Sequence, residues 1–244
     1  GAYCIGFYYN KEMLQAADVQ PPQTWSQLLD VIKKLQETGV TPWALGAKDS
    51  WRAEHLASNI FYKLNGVAAA KDLGSRKLSY DSPGYLDMYK AMVELNETGA
   101  FGKSFSAMDY AGEIAAFNNE KAAMRMSGTW TIGEITGNDA PEAIKEKVGF
   151  FPFPYFEGKE EYKDDWMGGT SDAFAISSNV EGYQKEMAVK FVKTITSSES
   201  SKLIIETAHD LTAVKADVEP AKSGTLLAEV SKAMGTGKAF GGDF

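Results

Sequence analysis

Residues that build disulfides and metal sites are scarce in this chain. Its 244 residues include one cysteine, Cys4, and two histidines, His55 and His209. A single cysteine cannot form an internal disulfide, and the apolar neighbours of Cys4 predict a buried thiol. The histidines lie far apart in the sequence, without ligand-type neighbours at the spacing of known metal motifs. The sequence therefore predicts no metal site and no cofactor.

Positive charge and long apolar runs are scarce as well. The 25 lysines and arginines are outnumbered by 33 aspartates and glutamates, so the formal net charge is −8. This balance disfavours nucleic acid and anionic membrane surfaces as partners. No apolar run approaches the roughly 18 residues that a membrane-spanning helix needs, and the first residues do not resemble a signal peptide. The sequence thus predicts no membrane span in this chain.

Motifs for two common chemistries are also absent. There is no Gly-x-Ser-x-Gly elbow for an esterase-type nucleophile. Residues 235–239 are only superficially similar to a phosphate-binding loop, because the upstream glycine, the hydroxyl residue after Lys238 and the preceding strand are missing. Carboxylates are plentiful, and a pair for glycoside hydrolysis is left open, since the fold and not the spacing sets such a pair.

The alternation of apolar runs and amphipathic stretches predicts an α/β fold up to about residue 179. The predicted strands are residues 3–9, 40–45, 122–126, 148–153 and 173–176. The predicted helices are residues 11–17, 25–38, 53–64, 83–98, 109–117, 141–147, 185–195, 199–207 and 225–234. Thr24 and Gln27 form a capping box at the start of the second helix.

The chain is organised around residues 115–130, where a helix end is followed by a turn, a short strand and then Ser-Gly-Thr-Trp. Gly128 allows a close approach of the backbone that a side chain would prevent, and Thr129 is predicted to cap a helix that starts near Trp130. This arrangement places the indole at the end of a strand, where α/β folds bind ligands.

Five stretches occur in the order of one known family and together cover nearly the whole chain. The most specific is residues 115–130, with the patterns Phe-x-x-x-Lys-Ala-Ala-Met and Ser-Gly-x-Trp. The others are residues 6–28 (Tyr-Asn-Lys, then Pro-x-Thr-Trp), 41–51, 148–154 and 168–177. In these stretches the sequence resembles the extracytoplasmic sugar-binding proteins of bacterial ABC importers, the maltose-binding-protein-like group.

The resemblance implies two α/β lobes that are joined by three crossing segments and hold the ligand between them. We therefore expect a periplasmic-binding-protein type II-like fold, with one nearly complete lobe and helices that belong to the other. Most of the first lobe and the closing helices are expected to lie outside this chain. The implied parts are residues 1–9 (first crossing), 10–165 (second lobe), 166–178 (second crossing), 179–234 (helical part of the first lobe) and 235–244 (approach to the third crossing).

The same resemblance implies a function and partners. We expect non-enzymatic binding of a mono- or oligosaccharide for delivery to the membrane subunits of an ABC importer. The location would be extracytoplasmic, either in the periplasm or at the cell surface on a lipid anchor. Helices after residue 180, without their parent sheet, are expected to expose apolar stripes that allow a dimer. A carbohydrate-active enzyme and a protein-interaction module are the alternatives.

A sugar presents apolar ring faces and a rim of hydroxyls, so its binder needs flat aromatic side chains and a few convergent polar groups. Trp130 is the main predicted platform, and Trp51 is the second because it follows a polar loop. Trp25 and Trp43 are assigned to the core. No catalytic residue is predicted. The predicted ligand-binding residues are Trp130, Trp51, Asp49, Arg52, Trp166, Gly168 and Gly169.

Overall fold

The computed structural model describes residues 2–170, 172–218 and 224–242. Its strands are β1 (Ala2–Asn10), β2 (Thr41–Ala44), β3 (Ala122–Gly128), β4 (Val148–Pro152), β5 (Asp165–Thr170) and β6 (Ala239–Gly241). Its helices are α1 (Lys11–Ala16), α2 (Trp25–Glu37), α3 (Ser50–Asn65), α4 (Val67–Gly74), α5 (Pro83–Glu97), α6 (Tyr110–Asn118), α7 (Thr131–Thr136), α8 (Glu142–Lys145), α9 (Gly182–Ile195), α10 (Ser198–Ala208) and α11 (Thr225–Met234). Strands and helices alternate along most of the chain, as the α/β prediction requires.

Strand β1 connects the two halves of the sheet, whose order is β2-β3-β1-β5-β6. One edge of β1 pairs antiparallel with β3. Its other edge is shared: Ala2 to Cys4 pair with β5, and Gly6 to Asn10 pair with β4. The outer strands β2 and β6 run parallel to β3 and β5. The end of β3 therefore lies beside the start of β1, and this is where the candidate site is found.

Side chains of β1 alternate between two hydrophobic cores, as the two-residue period of a strand dictates. Ile5 and Phe7 enter a large core that is completed by α2, α3 and α5. Cys4 and Tyr8 enter a smaller core with residues of α7, α8 and α11. Cys4 is buried, which confirms the sequence prediction.

Local signals in the sequence predicted α2 correctly. The side chain of Thr24 accepts the N–H of Gln27 and the Gln27 side chain bonds back to the Thr24 backbone, which is the capping box. Trp25 is 5% exposed and Trp43 is fully buried, so their assignment to the core is confirmed.

Two parts of the element prediction are wrong or incomplete. Residues 173–176 do not form the predicted strand. The strand in this part of the chain is β5, which ends at Thr170 and pairs with the first residues of β1. A Cβ at Gly168 would lie 2.5 Å from the Tyr3 carbonyl oxygen, so glycine allows the two strands to pair. Helix α4 and strand β6 were not predicted, and α3 begins at Ser50, within the predicted polar loop.

The helices after residue 180 expose apolar side chains. Helix α9 has no buried residue, and Tyr183, Phe191 and Leu203 are largely exposed. The expected apolar exposure is therefore present, while dimerisation through it stays a prediction. Within the described residues, no helix has both the length and the apolar composition to cross a membrane. Asp243 and Phe244, in the predicted approach to the third crossing, lie outside the described residues.

Candidate ligand-binding site

Trp130 lies two residues after the end of β3 and is half-buried. Its six-membered ring folds back over Gly128, where a Cβ would come within 2.0 Å of a ring carbon. Gly128 is therefore required for the close approach of the indole. The predicted cap by Thr129 is wrong: α7 has Trp130 at its N-cap position without a side-chain cap, and the Thr129 hydroxyl donates to the Ala2 carbonyl at 3.2 Å.

An aromatic cluster surrounds this indole, made of Tyr3, Trp51, His55, Tyr110 and Trp130. Tyr3 comes from β1, Trp51 and His55 from α3, and Tyr110 from the first residue of α6. Ring centroids are 4.8 Å apart for Trp51 and Tyr110, 6.4 Å for Trp51 and Trp130, and 6.0 Å for Tyr3 and Trp130. The structure thus brings together the two tryptophans that the sequence analysis selected as platforms.

A pocket of about 350 Å³ lies beside the cluster, and we call it the Trp130 pocket. It combines aromatic side chains with hydroxyl, imidazole and carboxyl groups. Its lining residues are Ala2, Tyr3, His55, Thr129, Trp130, Thr170, Asp172 and Asp210. The size and the mixed lining are typical of a small-molecule site.

A larger surface groove of about 900 Å³ lies between α4 and β6. Tyr62, Leu73 and Phe240 are among its lining residues, and no described member of the aromatic cluster lines it. Volume alone does not define a binding site, so we place the candidate site where aromatic faces and convergent polar groups meet.

Buried ion pairs contact the aromatic cluster and support it. Glu113 of α6 accepts two hydrogen bonds from Arg52, at 2.8 and 3.0 Å, and one from Arg125 of β3 at 2.8 Å. All three side chains are fully buried. The guanidinium of Arg52 lies 4.8 Å from the Trp51 ring centroid, and that of Arg125 lies 5.0 Å from the Tyr110 ring centroid. Each guanidinium therefore contacts an aromatic face.

The protonation state of Glu113 follows from these contacts. Burial acts to raise the pKa of this carboxyl group, but the guanidinium groups of Arg52 and Arg125 outweigh it, and the pKa is lowered. Glu113 is thus ionised between two cations, and its second oxygen also accepts the backbone N–H of Gly46 at 2.8 Å.

A chain of hydrogen bonds connects Trp130 to this network. The indole Nε1 donates to the Tyr110 hydroxyl at 2.7 Å, and this hydroxyl donates to Glu134 at 2.6 Å. Glu134 in turn accepts from Arg125 at 2.6 Å. The orientation of the indole is therefore set by groups that lie outside the pocket.

The predicted polar ligands Asp49 and Arg52 have other contacts. Asp49 accepts the backbone N–H of Tyr110 at 2.7 Å, at the start of α6. The structure does not bring Arg52 to the pocket surface, because its side chain is fully buried against Glu113. Both residues hold parts of the aromatic cluster in place. Their predicted contact with sugar hydroxyls is not part of the site that we describe.

Trp166 is also outside the pocket. Its side chain is 2% exposed and packs near Phe150 and Phe240, with ring centroids 6.5 and 6.4 Å away. This burial leaves no ring face for a ligand. Gly168 permits the pairing of β5 with β1, and Gly169 directly precedes Thr170, which lines the pocket.

Among the described lining residues of the pocket, His55 is the one with a basic side chain, and it is uncharged near neutral pH. Burial and the neighbouring Arg52 guanidinium lower the pKa of His55 to about 3, so its imidazole is neutral and accepts a 3.0 Å hydrogen bond from Arg52 at Nδ1. Burial raises the pKa of Asp210 more than the backbone N–H of Leu211 and the N-terminal amino group lower it, and the carboxyl group of Asp172 adds to the rise.

Several residues of the site had no signal in the sequence. Tyr3, Glu113, Asp172 and Asp210 lie in four different parts of the chain, and only the fold brings their side chains toward one site. Tyr110 follows Asp109, which caps α6 through the N–H of Gly112. The helix start predicted at Asp109, next to the aromatic Tyr110, was the one local signal in the sequence for this part of the site.

Comparison with known proteins identifies the class. The model of the family described as bacterial extracellular solute-binding protein matches residues 3–202. The chain belongs to this family, which confirms the resemblance and the fold class drawn from the sequence.

Two curated relatives each share 27% sequence identity with this chain. The multiple sugar-binding protein of Streptococcus mutans is 27% identical over 203 residues, which are 79% of this chain and 45% of that protein. The sn-glycerol-3-phosphate-binding periplasmic protein of Rhizobium meliloti is 27% identical over 188 residues, 71% of this chain and 40% of that protein. The chain thus spans less than half the length of these curated relatives.

Solved structures agree with the fold. A chitin oligosaccharide binding protein has a TM-score of 0.91 and 26% identity, covering 99% of this chain and 60% of its own. A structure from a study of xylan utilization by Caldanaerobius polysaccharolyticus has a TM-score of 0.92 and 27% identity, covering 99% of this chain and 61% of its own.

Proposed function

We propose that this chain binds a mono- or oligosaccharide at the Trp130 pocket, with Trp130 as the main stacking platform. One observation carries the proposal: a half-buried indole, held in a fixed orientation by Tyr110, borders a pocket lined with hydroxyl and carboxyl groups. Such a pairing of an apolar ring face with convergent polar groups suits the two sides of a sugar ring.

The polar groups of the pocket are suited to hydroxyl recognition. Thr170 has a hydroxyl group that donates or accepts, whereas the Thr129 hydroxyl donates to Ala2 and is left as an acceptor. Asp172 and Asp210 have carboxyl oxygens that accept. Trp51 borders Trp130 and extends the aromatic surface, so it is the second proposed platform. Asp49 and Arg52 act indirectly, by holding Tyr110 and Trp51 in place.

The comparisons support this class of ligand without defining the sugar. Relatives and solved structures are named for binding multiple sugars and chitin oligosaccharide. We propose that this chain likewise serves an ABC importer outside the cytoplasm, in the periplasm or on a lipid anchor, and delivers its ligand to membrane subunits. The boundaries of lobes and crossings predicted from the sequence are part of the same proposal.

Binding without chemical change is also proposed. The relatives are named as binding proteins. Glu113 is neutralised by two arginines away from the pocket, which does not suit a glycosidase acid or base. Asp172 and Asp210 both line the pocket, and a glycosidase uses a pair of carboxyl groups. The experiment below therefore also tests for hydrolysis of the sugar.

The test is a titration of the 244-residue chain, labelled with ¹⁵N, with raffinose, cellobiose, maltose and N,N′-diacetylchitobiose. We expect at least one sugar to shift the indole N–H signal of Trp130, while the buried indole of Trp25 changes little. Chromatography should recover the sugar unaltered. Absence of any shift would contradict carbohydrate binding, and appearance of shorter sugars would favour the enzyme alternative.

A further inference from the structure

We infer that Gly128 is a positioning residue of the Trp130 pocket: because it has no side chain, it determines where the indole of Trp130 lies and therefore how a sugar stacks on it. The inference rests on the proposed carbohydrate function. It adds to that site a buried residue at the end of β3 that is not among the described lining residues of the pocket.

The first argument is the contact between Gly128 and the indole. A Cβ at Gly128 would lie 2.0, 2.3 and 2.4 Å from three carbons of the six-membered ring of Trp130, and no other side chain or backbone atom outside its chain neighbours is nearer. Carbon atoms that are not bonded prefer a separation of about 3.5–4.0 Å. The methyl group of an alanine at this position would therefore act first on the indole.

The second argument is that the backbone of Gly128 is held in place. Gly128 pairs with Ile5 of β1, and its carbonyl oxygen accepts a hydrogen bond of 3.1 Å from the hydroxyl of Tyr8, whose side chain is fully buried. Its φ angle lies outside the left-handed region, so alanine does not strain the backbone. The indole, at the far end of a side chain, is thus the part that would move.

The third argument is that the indole is held at two ends. Its Nε1, on the five-membered ring, donates to the Tyr110 hydroxyl at 2.7 Å, and its six-membered ring lies over Gly128. A displacement at the Gly128 end therefore tilts the ring plane or changes the bond to Tyr110. Stacking is sensitive to such a shift, because a gap of about 0.5–1 Å already loses a quarter to a half of the attraction between two atoms.

The experiment compares two strand glycines that each lie under an aromatic ring. A Cβ at Gly149 of β4 would lie 2.6 Å from ring carbons of Tyr9, its partner on β1, and Gly149 does not line the pocket. Gly149→Ala is therefore the matched control for Gly128→Ala. Any general effect of an alanine in place of a strand glycine should appear in both variants, whereas an effect on the sugar site should appear in one.

We expect Gly128→Ala to weaken binding of the tightest-binding sugar of the titration panel at least about 10-fold, a difference of about 1.4 kcal/mol. The indole N–H signal of Trp130 should also shift in the absence of ligand, because the ring has moved relative to Tyr110. Gly149→Ala should leave both the affinity and this signal unchanged. Unchanged affinity and an unchanged indole signal in Gly128→Ala would overturn the inference alone.

A second substitution shows whether the effect acts through the indole. Trp130→Phe removes the ring that lies over Gly128, so in this background Gly128→Ala should weaken sugar binding by less than about threefold. An equal loss in both backgrounds would contradict positioning of the indole and indicate a purely structural role for Gly128.

Folding of the variants provides a further criterion. If Gly128→Ala does not fold and Gly128→Ala/Trp130→Phe does, the indole is the group that excludes a side chain at this position, which supports the inference. If neither folds, the methyl group disturbs another part of the chain and the inference is wrong. If no sugar binds to the unsubstituted chain, the proposed function fails and this inference fails with it.

Discussion

The indole Nε1 of Trp130 lies 2.7 Å from the hydroxyl oxygen of Tyr110 and donates a hydrogen bond to it. That hydroxyl donates to Glu134, which is paired with the buried Arg125. The Nε1 edge of the indole is therefore fixed by contacts within the fold. Preorganisation of this kind improves affinity, because the conformational entropy of the platform is lost during folding and not during binding.

The first prediction concerns Tyr110→Phe. The variant removes the acceptor of the Trp130 indole and the donor to Glu134, but it keeps the ring that contacts Trp51. We expect sugar affinity to fall by about 5- to 10-fold, since loss of one hydrogen bond costs about 1 kcal/mol and loosens the platform. The Trp130 indole N–H signal should also shift in the absence of ligand.

Tyr89→Phe is the matched control, because Tyr89 is 45% exposed on α5. It should change neither the affinity nor the indole signal. A purely structural role for Tyr110 would lower the melting temperature while the fully folded variant keeps its dissociation constant, and that result would contradict positioning of Trp130.

The second prediction concerns the buried ion pairs. Glu113→Gln removes the negative charge between Arg52 and Arg125, which are both fully buried. Breaking a buried pair by removing one partner leaves an uncompensated charge, so the free energy of unfolding should fall by about 3–5 kcal/mol. Urea denaturation measures this loss. Glu97→Gln, at an exposed position of α5, should cost less than about 0.5 kcal/mol; equal effects of the two variants would contradict the network.

The third prediction is a pH dependence of stability from His55. Its pKa is about 3 in the folded chain and about 6.5 when unfolded, so the unfolded state binds more protons below the latter value. Stability from this group is complete above the unfolded pKa and is lost as pH falls. Between about pH 7.5 and about pH 5.5 the loss should be about 1.4 kcal/mol.

The buried carboxyl group of Glu113 has little influence in this pH window. The pKa of Glu113 is lowered in the folded state, so its contribution is lost only below the ordinary range of a carboxyl group. His55→Gln should flatten the dependence measured by urea denaturation. A flat profile for the unsubstituted chain would show that His55 is accessible to protons in the folded state.

The sequence predicted those parts of the molecule that depend on local patterns. The capping box of Thr24 and Gln27 and the buried face of α2 follow from residues a few positions apart. The strand and turn that lead to Trp130 were predicted for the same reason. The ion pair of Arg52 with Glu113 was not, because the two residues meet only when α3 and α6 pack on the sheet.

The burial of Trp166, which the sequence analysis selected as a ligand-binding residue, has a related cause. Aromatic residues beside glycines suit both a ligand platform and a tightly packed strand, and the sequence does not distinguish them. Pairing with Phe240 of β6 and packing near Phe150 place Trp166 in the smaller core. Exposure of a tryptophan is a property of the assembled fold, whereas its presence near a turn is a property of the sequence.

The last prediction compares two tryptophans that differ in exposure. Trp130 is half-buried beside the pocket, whereas Trp25 is 5% exposed, donates to Glu94 at 2.8 Å and stacks on Phe156 at 4.6 Å. Trp130→Ala should cost about 1.5–3 kcal/mol of sugar binding, as expected for loss of an aromatic platform. Its free energy of unfolding should fall by less than the roughly 3–5 kcal/mol of a deleted core tryptophan.

Trp25→Ala should show the opposite pattern, with a large loss of stability and little loss of affinity in the molecules that remain folded. Calorimetric titration and urea denaturation of the two variants separate these effects, because one reports on the ligand and the other on the core. A Trp130 variant that loses stability as Trp25→Ala does and retains its affinity would place Trp130 in the core. The aromatic cluster would then be a structural feature, and the sugar site would have to be sought elsewhere in the chain.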